Sequence, residues 1–255
     1  MKRFLLILAT LFLSKTMLAE HITGGEMFYT FRGISSTGEY QYRVTLKLFR
    51  NCGNVGAQLD PAAAIAIFNK TTGAMVWNQS IVLTRSEELR LSTPGPCITN
   101  APSVCYQVGY YEFDISLPPT SNGYTVTYQR CCRINGISNL SNSGSFGATY
   151  TADIPGTLLL PDAPENNSAK FIGTDTVIVC GGYPFTYSFA ADDPDSNDEL
   201  RYSFCEAFLG GGTGGGQPGG PNTPAPNPPT APPYSAVSYS FPYNGLAPLG
   251  VGVTI

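Results

Sequence analysis

Residues 96–140 read PCITNAPSVCYQVGYYEFDISLPPTSNGYTVTYQRCCRINGISNL. Tyr124, Val126 and Tyr128 alternate with Thr125, Thr127 and Gln129, the period of a strand with one face buried and one face wet. Residues 108–117 form a second strand-like run, which stops at Pro118 and Pro119 because proline cannot continue a ladder. Four of the seven cysteines, Cys97, Cys105, Cys131 and Cys132, fall in this stretch. Cysteines set among alternating strand residues predict a cross-linked β-sheet outside the reducing cytosol.

The same period extends outward. Tyr40, Tyr42, Val44, Leu46 and Leu48 alternate with Gln41, Arg43, Thr45 and Lys47. Residues 64–68 and 74–77 flank Asn69-Lys70-Thr71-Thr72-Gly73 and read as a hairpin, with Gly73 free to take a positive φ. No capped 3.6-residue apolar period is sustained anywhere, so the expected fold class is all-β. Patterning breaks at residues 155–168, where Pro161, Pro164, Asn166 and Asn167 cluster. The expected organisation is a disulfide-stapled β-sandwich over 20–157, a linker over 158–168, and a second β module over 169–255. Strands of that module are expected at 171–179, 185–190, 200–205 and 235–241. Residues 210–233 are uncharged and dominated by Gly and Pro, which predicts a flexible Gly-rich half and an extended Pro-rich half acting as a loop or spacer. A β-sandwich needs about seven strands. The second module falls short of that, and the alternation at 249–255 reads as a strand cut off, so a longer parent chain is expected.

Lys2 and Arg3 precede the apolar run 4–13, and small residues near Ala19 offer a cleavage site, so 1–19 reads as a signal peptide. The run is too short to span a bilayer, and no later segment is apolar enough to do so. Removing 1–19 leaves 11 basic against 18 acidic residues, a net charge of −7. That balance makes the chain a weak candidate for binding phosphate backbones or anionic lipid, and no nucleic-acid partner is expected. The expected location is secreted or at the cell surface.

Cys131 and Cys132 are adjacent on a strand and should point to opposite faces, so a bond between them is not expected. The preferred pairing is Cys97 with Cys105, Cys52 with one of the vicinal pair, and Cys180 with Cys205, leaving one cysteine over; spacing alone leaves other pairings open. Opposite facing would put one bridge in the sandwich core and another on its outer face. Zinc is disfavoured, because there is no CxxC pair and His21 is the single histidine.

That single histidine also leaves little for a Ser-His-Asp or Cys-His site, and Gly144-Ser145-Phe146-Gly147 is one residue short of a nucleophile elbow. Glu87 and Glu88 read as a solvated pair. The chain is expected to be non-catalytic. The acidic run 192–199 carries the one credible site, with Asp192, Asp193, Asp195, Asn197 and Asp198 as candidate oxygen ligands for Ca²⁺. Its spacing is not that of an EF-hand, and a solvated turn built on Asp-Pro and Ser-Asn accounts for the same residues. No other cofactor is expected. Fifteen tyrosines admit a carbohydrate-stacking reading, but Tyr40, Tyr42, Tyr128 and Tyr202 fall at inward positions and read as core.

HITGGEMFYTFRG, YQYRVTLKLFRNCG, PSVCYQVGYYEFDISLPP, NGYTVTYQRCCRING and YPFTYSFAADDPDSNDELRYSFCEAF together resemble the N-terminal region of large exported surface proteins of the Bacteroidetes. Such proteins often end in a gliding-motility-associated C-terminal domain that serves type IX secretion. The resemblance implies immunoglobulin-like, PKD-like or cadherin-like modules, further domains in the same chain, and a non-catalytic structural or adhesion role. Its implied partners are other surface proteins or extracellular glycans. The acidic run resembles the DPDGD turn of cadherin-like repeats, but Ser196-Asn197 stands where that turn has Gly. The alternative function is a carbohydrate-binding accessory module of a secreted polysaccharide-degrading enzyme.

Overall fold

The computed structural model describes residues 22–53, 57–89, 105–173, 175, 183–213, 220–250 and 253. Their fold is all-β. Eight strands build two four-stranded antiparallel sheets: β1 (Ile22–Ile34), β2 (Tyr40–Asn51), β3 (Ala62–Asn69), β4 (Met75–Val82), β5 (Arg85–Leu89), β6 (Tyr106–Leu117), β7 (Tyr124–Arg130) and β8 (Ala148–Ile154). One sheet has the order β1-β2-β6-β5 and the other β4-β3-β7-β8, and they pack face to face as a sandwich. No helix among the described residues is long and apolar enough to cross a membrane.

Alternation forms these strands by giving each sheet an apolar inner face. Val44, Leu46 and Leu48 of β2 meet Ile65, Ile67, Tyr111, Val126 and Ile154 in one core. Each aliphatic side chain so buried contributes about 1.5–3 kcal/mol. Trp77 of β4 stacks on Phe113 of β6 across the sandwich, 4.8 Å between centroids. The hairpin of β3 and β4 turns through Gly73 at φ +70°, as its sequence requires. Buried tyrosines also anchor loops: Tyr42 OH donates to Pro164 O (2.6 Å), Tyr111 OH to Asp60 O (2.7 Å) and Tyr124 OH to Pro118 O (2.7 Å). Tyr42 and Tyr128 are core as expected, and Tyr40 packs against it. Tyr202 is not, being 45% exposed.

The polar faces depart from expectation. Thr45 and Lys47 of β2, and Thr125, Thr127 and Gln129 of β7, are buried rather than wet. For Lys47, Thr127 and Gln129 the partners are Asp175, Tyr234 and Thr230, in the chain beyond Ile154. Among its described residues, the second strand series is represented by β9 (Lys170–Phe171) paired with β10 (Ala191–Asp192) and by isolated bridges such as Phe208↔Ala236 and Leu140↔Tyr239. Besides bonds within itself, such as Leu209 N to Ser235 O, this part of the chain bonds to the first sandwich. Cys131 N donates to Pro224 O (2.8 Å), Thr127 and Tyr234 share a hydroxyl hydrogen bond (2.6 Å), and Thr149 N donates to Phe208 O (3.3 Å). The described Pro-rich residues 220–233 are therefore a packed series of turns and bends, not an extended spacer. Thr223, Pro226 and Pro229 are buried at intervals of three. The expected flexible residues 214–219 lie outside the described residues.

The disulfides also differ from the preferred pairing. Cys52 is bonded to Cys105, and Cys131 to Cys132. Register explains the first. β2 and β6 pair without a break up to Asn51↔Tyr106, so Cys52 and Cys105 form the next pair, with Cα atoms 5.0 Å apart and Cys52 N donating to Cys105 O (3.0 Å). The opposite-facing argument fails at the second because β7 ends at Arg130, so strand alternation does not reach residues 131 and 132. Their peptide bond is cis, and both side chains are buried. No core-plus-outer-face pair of bridges exists there. Cys205 is exposed and carries no disulfide; Cys97 and Cys180 lie outside the described residues.

Candidate functional site

The acidic turn follows β10. Asp193 Oδ1 accepts from Asp195 N (3.0 Å), and Asp198 N donates to Asp195 O (3.0 Å), closing a tight polar turn. This folding brings carboxylate oxygens of Asp193, Asp195 and Asp198 within 4.8 Å of one another. Asp192 stays in β10, outside the group, and Asn197 is exposed. Three of the four expected carboxylate ligands therefore converge. With one oxygen from each, they supply three of the six to eight that Ca²⁺ takes.

Asp195 has a second task that sequence reading missed. Its Oδ2 accepts from Asn167 N (2.6 Å) and its Oδ1 from Asn167 Nδ2 (2.8 Å). Asn167 in turn accepts Phe31 N on its Oδ1 (2.8 Å), and Ser168 Oγ accepts Tyr29 N (2.7 Å). The turn is thus tied to the edge of β1 through residues placed in the linker. Burial holds the Tyr29 phenol up at about 12; the hydrogen bond from Asn166 opposes this and the Asp195 charge adds to it. Nothing in the sequence near Asn167 marks this role, because the contact spans 136 positions to Phe31.

A second group, Cys52, Glu88 and Cys105, has metal-like proximity, but its sulfurs are joined in the disulfide and are not thiolates. His21 lies outside the described residues. Ser145 sits in the 3-10 turn Ser143–Ser145, and its hydroxyl donates to Asn142 Oδ1 (3.1 Å) rather than to a base. Glu87 and Glu88 are exposed on β5; Glu87 accepts Tyr110 OH (2.6 Å).

Clefts open on the outer faces among the described residues. One, of 240 Å³, is lined by Phe49, Phe171, Tyr187 and Phe189, with Glu26 and Asp175. Lys47 bridges these two carboxylates at 3.1 and 3.0 Å and lies 4.8 Å from the Phe49 ring centroid. Burial pulls the Lys47 ammonium down, but its hydrogen bonds to Asp175 and Glu26 outweigh that and leave it raised. Another cleft, of 690 Å³, has an uncharged lining that includes Asn142, Phe146, Asn222 and Tyr234. Comparison of the chain with family models, curated proteins and solved structures returned no match.

Proposed function

We propose that the chain is a non-catalytic structural or adhesion module of an exported cell-surface protein, whose task is to hold loops and any further domains in fixed geometry. The Cys52–Cys105 disulfide carries this reading. It closes the last register pair of the two central strands of one sheet, a staple that persists in an oxidising compartment. The signal-like residues 1–19, the acidic balance and the resemblance to Bacteroidetes surface proteins support the same location. Protease shaving of intact cells, followed by non-reducing peptide mapping, tests it. Surface release of a peptide pair linked through Cys52 and Cys105 is expected. Retention of the chain inside the cell with both thiols reduced would sink the proposal.

The aromatic cleft favours a second reading, carbohydrate binding. Phe171 and Phe189 are 55% and 46% exposed beside carboxylates able to accept sugar hydroxyls. Glycan-array binding abolished by Phe171→Ala would establish it in place of a purely structural role.

A further inference from the structure

The sandwich has four edge strands, and three are closed or guarded. The Tyr29 and Phe31 amides of β1 are taken by Ser168 and Asn167. β8 is covered by the bond from Thr149 N to Phe208 O and the flanking bridge Phe146↔Gly212. β5 is five residues long and carries Arg85, Glu87 and Glu88. β4 is the exception. Its eight residues, MVWNQSIV, include no charge and no proline, and its outer edge has no backbone partner among the described residues. Val76 and Val82 are 48% and 70% exposed. Asn78 Nδ2 meets Asn227 Oδ1 at 3.5 Å on the outer face of the strand, while the backbone edge itself, without charge or proline, is a template for another strand.

The pattern along β4 selects the partner. About Gln79 the strand reads Val-Trp-Asn, Gln, Ser-Ile-Val: two apolar residues and a polar one on each side of a polar centre. Trp77, Gln79 and Ile81 lie opposite Ile67, Ile65 and Ala63 of β3 and share the inner face. The register irregularity falls at Val76, so Trp77 to Val82 remain regular. Opposed residues of an antiparallel pair lie on one face of the sheet. A two-fold axis through Gln79, normal to the sheet, therefore sets Trp77 of one copy against Ile81 of the other and Asn78 against Ser80, with Val76 and Val82 adjoining at the ends. Apolar meets apolar, polar meets polar, and no like charges oppose. Self-complementarity of this kind is what an isologous contact requires and a foreign strand does not.

We propose that β4 is a homotypic pairing edge, at which two copies of this chain join their four-stranded sheets into one sheet of eight. The pairing stands on the edge geometry alone and does not depend on the surface role above. One strand pair buries less than the ~1,200 Å² of a stable interface, so the dimer is expected to be weak and seen only at high protein concentration. Sedimentation equilibrium of the purified chain up to about 1 mM tests it. Gln79→Lys and Gln79→Glu each place like charges on the two-fold axis and should weaken self-association at least about tenfold, with circular dichroism unchanged. An equimolar mixture of the two variants should recover dimer. A monomeric wild type across that range, a dimer indifferent to both variants, or variants whose mixture stays monomeric would each overturn the proposal.

Discussion

The Arg130 guanidinium grips the Asp60 carboxylate with two nitrogens, Nε to Oδ2 at 2.5 Å and NH2 to Oδ1 at 2.9 Å. Its NH1 donates to Pro224 O (2.8 Å) and Cys131 O (3.1 Å). One side chain at the end of β7 therefore joins the loop before β3, the vicinal cysteines and the Pro-rich segment. Asp60→Asn would leave this cation, 9% exposed, without its counter-charge. A loss of about 2–4 kcal/mol is expected in denaturant melts, toward the low end because Asp60 keeps some contact with water. A change within error would mean that the carbonyls of Pro224 and Cys131 suffice for Arg130.

Removing the Cys52–Cys105 bridge frees a loop spanning 53 positions in the unfolded chain. The double variant Cys52→Ala/Cys105→Ala should lose about 2–4 kcal/mol. Peptide mapping should show these two cysteines linked to each other, and Cys131 and Cys132 joined within one peptide. A Cys97–Cys105 link would refute the register argument.

Gln129 fastens the Pro-rich segment to β7. Its Nε2 donates to Thr149 Oγ1 (3.1 Å) and Thr230 Oγ1 (2.9 Å), and its Oε1 accepts Thr230 N (2.9 Å). Gln129→Ala should cost about 1–3 kcal/mol and leave the Thr230 N–H without its acceptor. Limited proteolysis should then cut within 220–233 several times faster than in the wild type, while β1 to β6 stay protected. Equal cutting rates would show that the segment is held elsewhere.

Where alternation ran between a buried and a polar face, the strands were legible: β2, β6 and β7 lie where their patterns put them, and the hairpin read over 64–77 is β3 and β4, although β4 runs on to Val82. β1, β5 and β8 were not read, and all three are edges. β5 is RSEEL, with no apolar face to show. β1 carries Gly24 and Gly25 beside a register shift, and a Cβ at Gly25 would come within 2.7 Å of Lys47 O, so close approach rather than alternation chose that residue. The polar phase of β7 was misread for a different reason. Thr127 and Gln129 signal that their face hydrogen-bonds, not that its partner is water, and the partner lies about a hundred positions away. The acidic turn was legible as a cluster, but its tie to β1 through Asn167 is likewise long-range and left no local mark.

The double role of Asp195 separates structure from metal binding. Asp195→Ala removes the acceptor of two Asn167 donors and should lower stability by about 1–3 kcal/mol with or without calcium. Asp198→Ala touches the carboxylate cluster but not Asn167. If Ca²⁺ occupies the turn, calorimetry shows a binding heat that both variants abolish, and chelator lowers the wild-type melting temperature. No heat, with melting indifferent to chelator, leaves the turn as a clamp on β1.

Alkaline pH should unfold the sandwich through its tyrosines. Burial holds Tyr29, Tyr150 and Tyr234 at about 12, above the ordinary value of 10.0. Tyr42 and Tyr111 are pushed up further by the same cause, and Lys47 is raised by its two carboxylates. A group whose folded pKa exceeds its unfolded one stabilises the fold fully below the unfolded value and loses that contribution as pH rises through the folded value. Stability should therefore be flat with respect to these tyrosines below pH 10 and fall between pH 10 and 12. Phenolate absorbance and sheet circular dichroism, followed together, check this. The buried phenols should ionise in step with loss of the sheet signal, and Tyr29→Phe should move the transition to higher pH. Full ionisation while the sheet signal is intact would show that these hydroxyls reach water in the folded state.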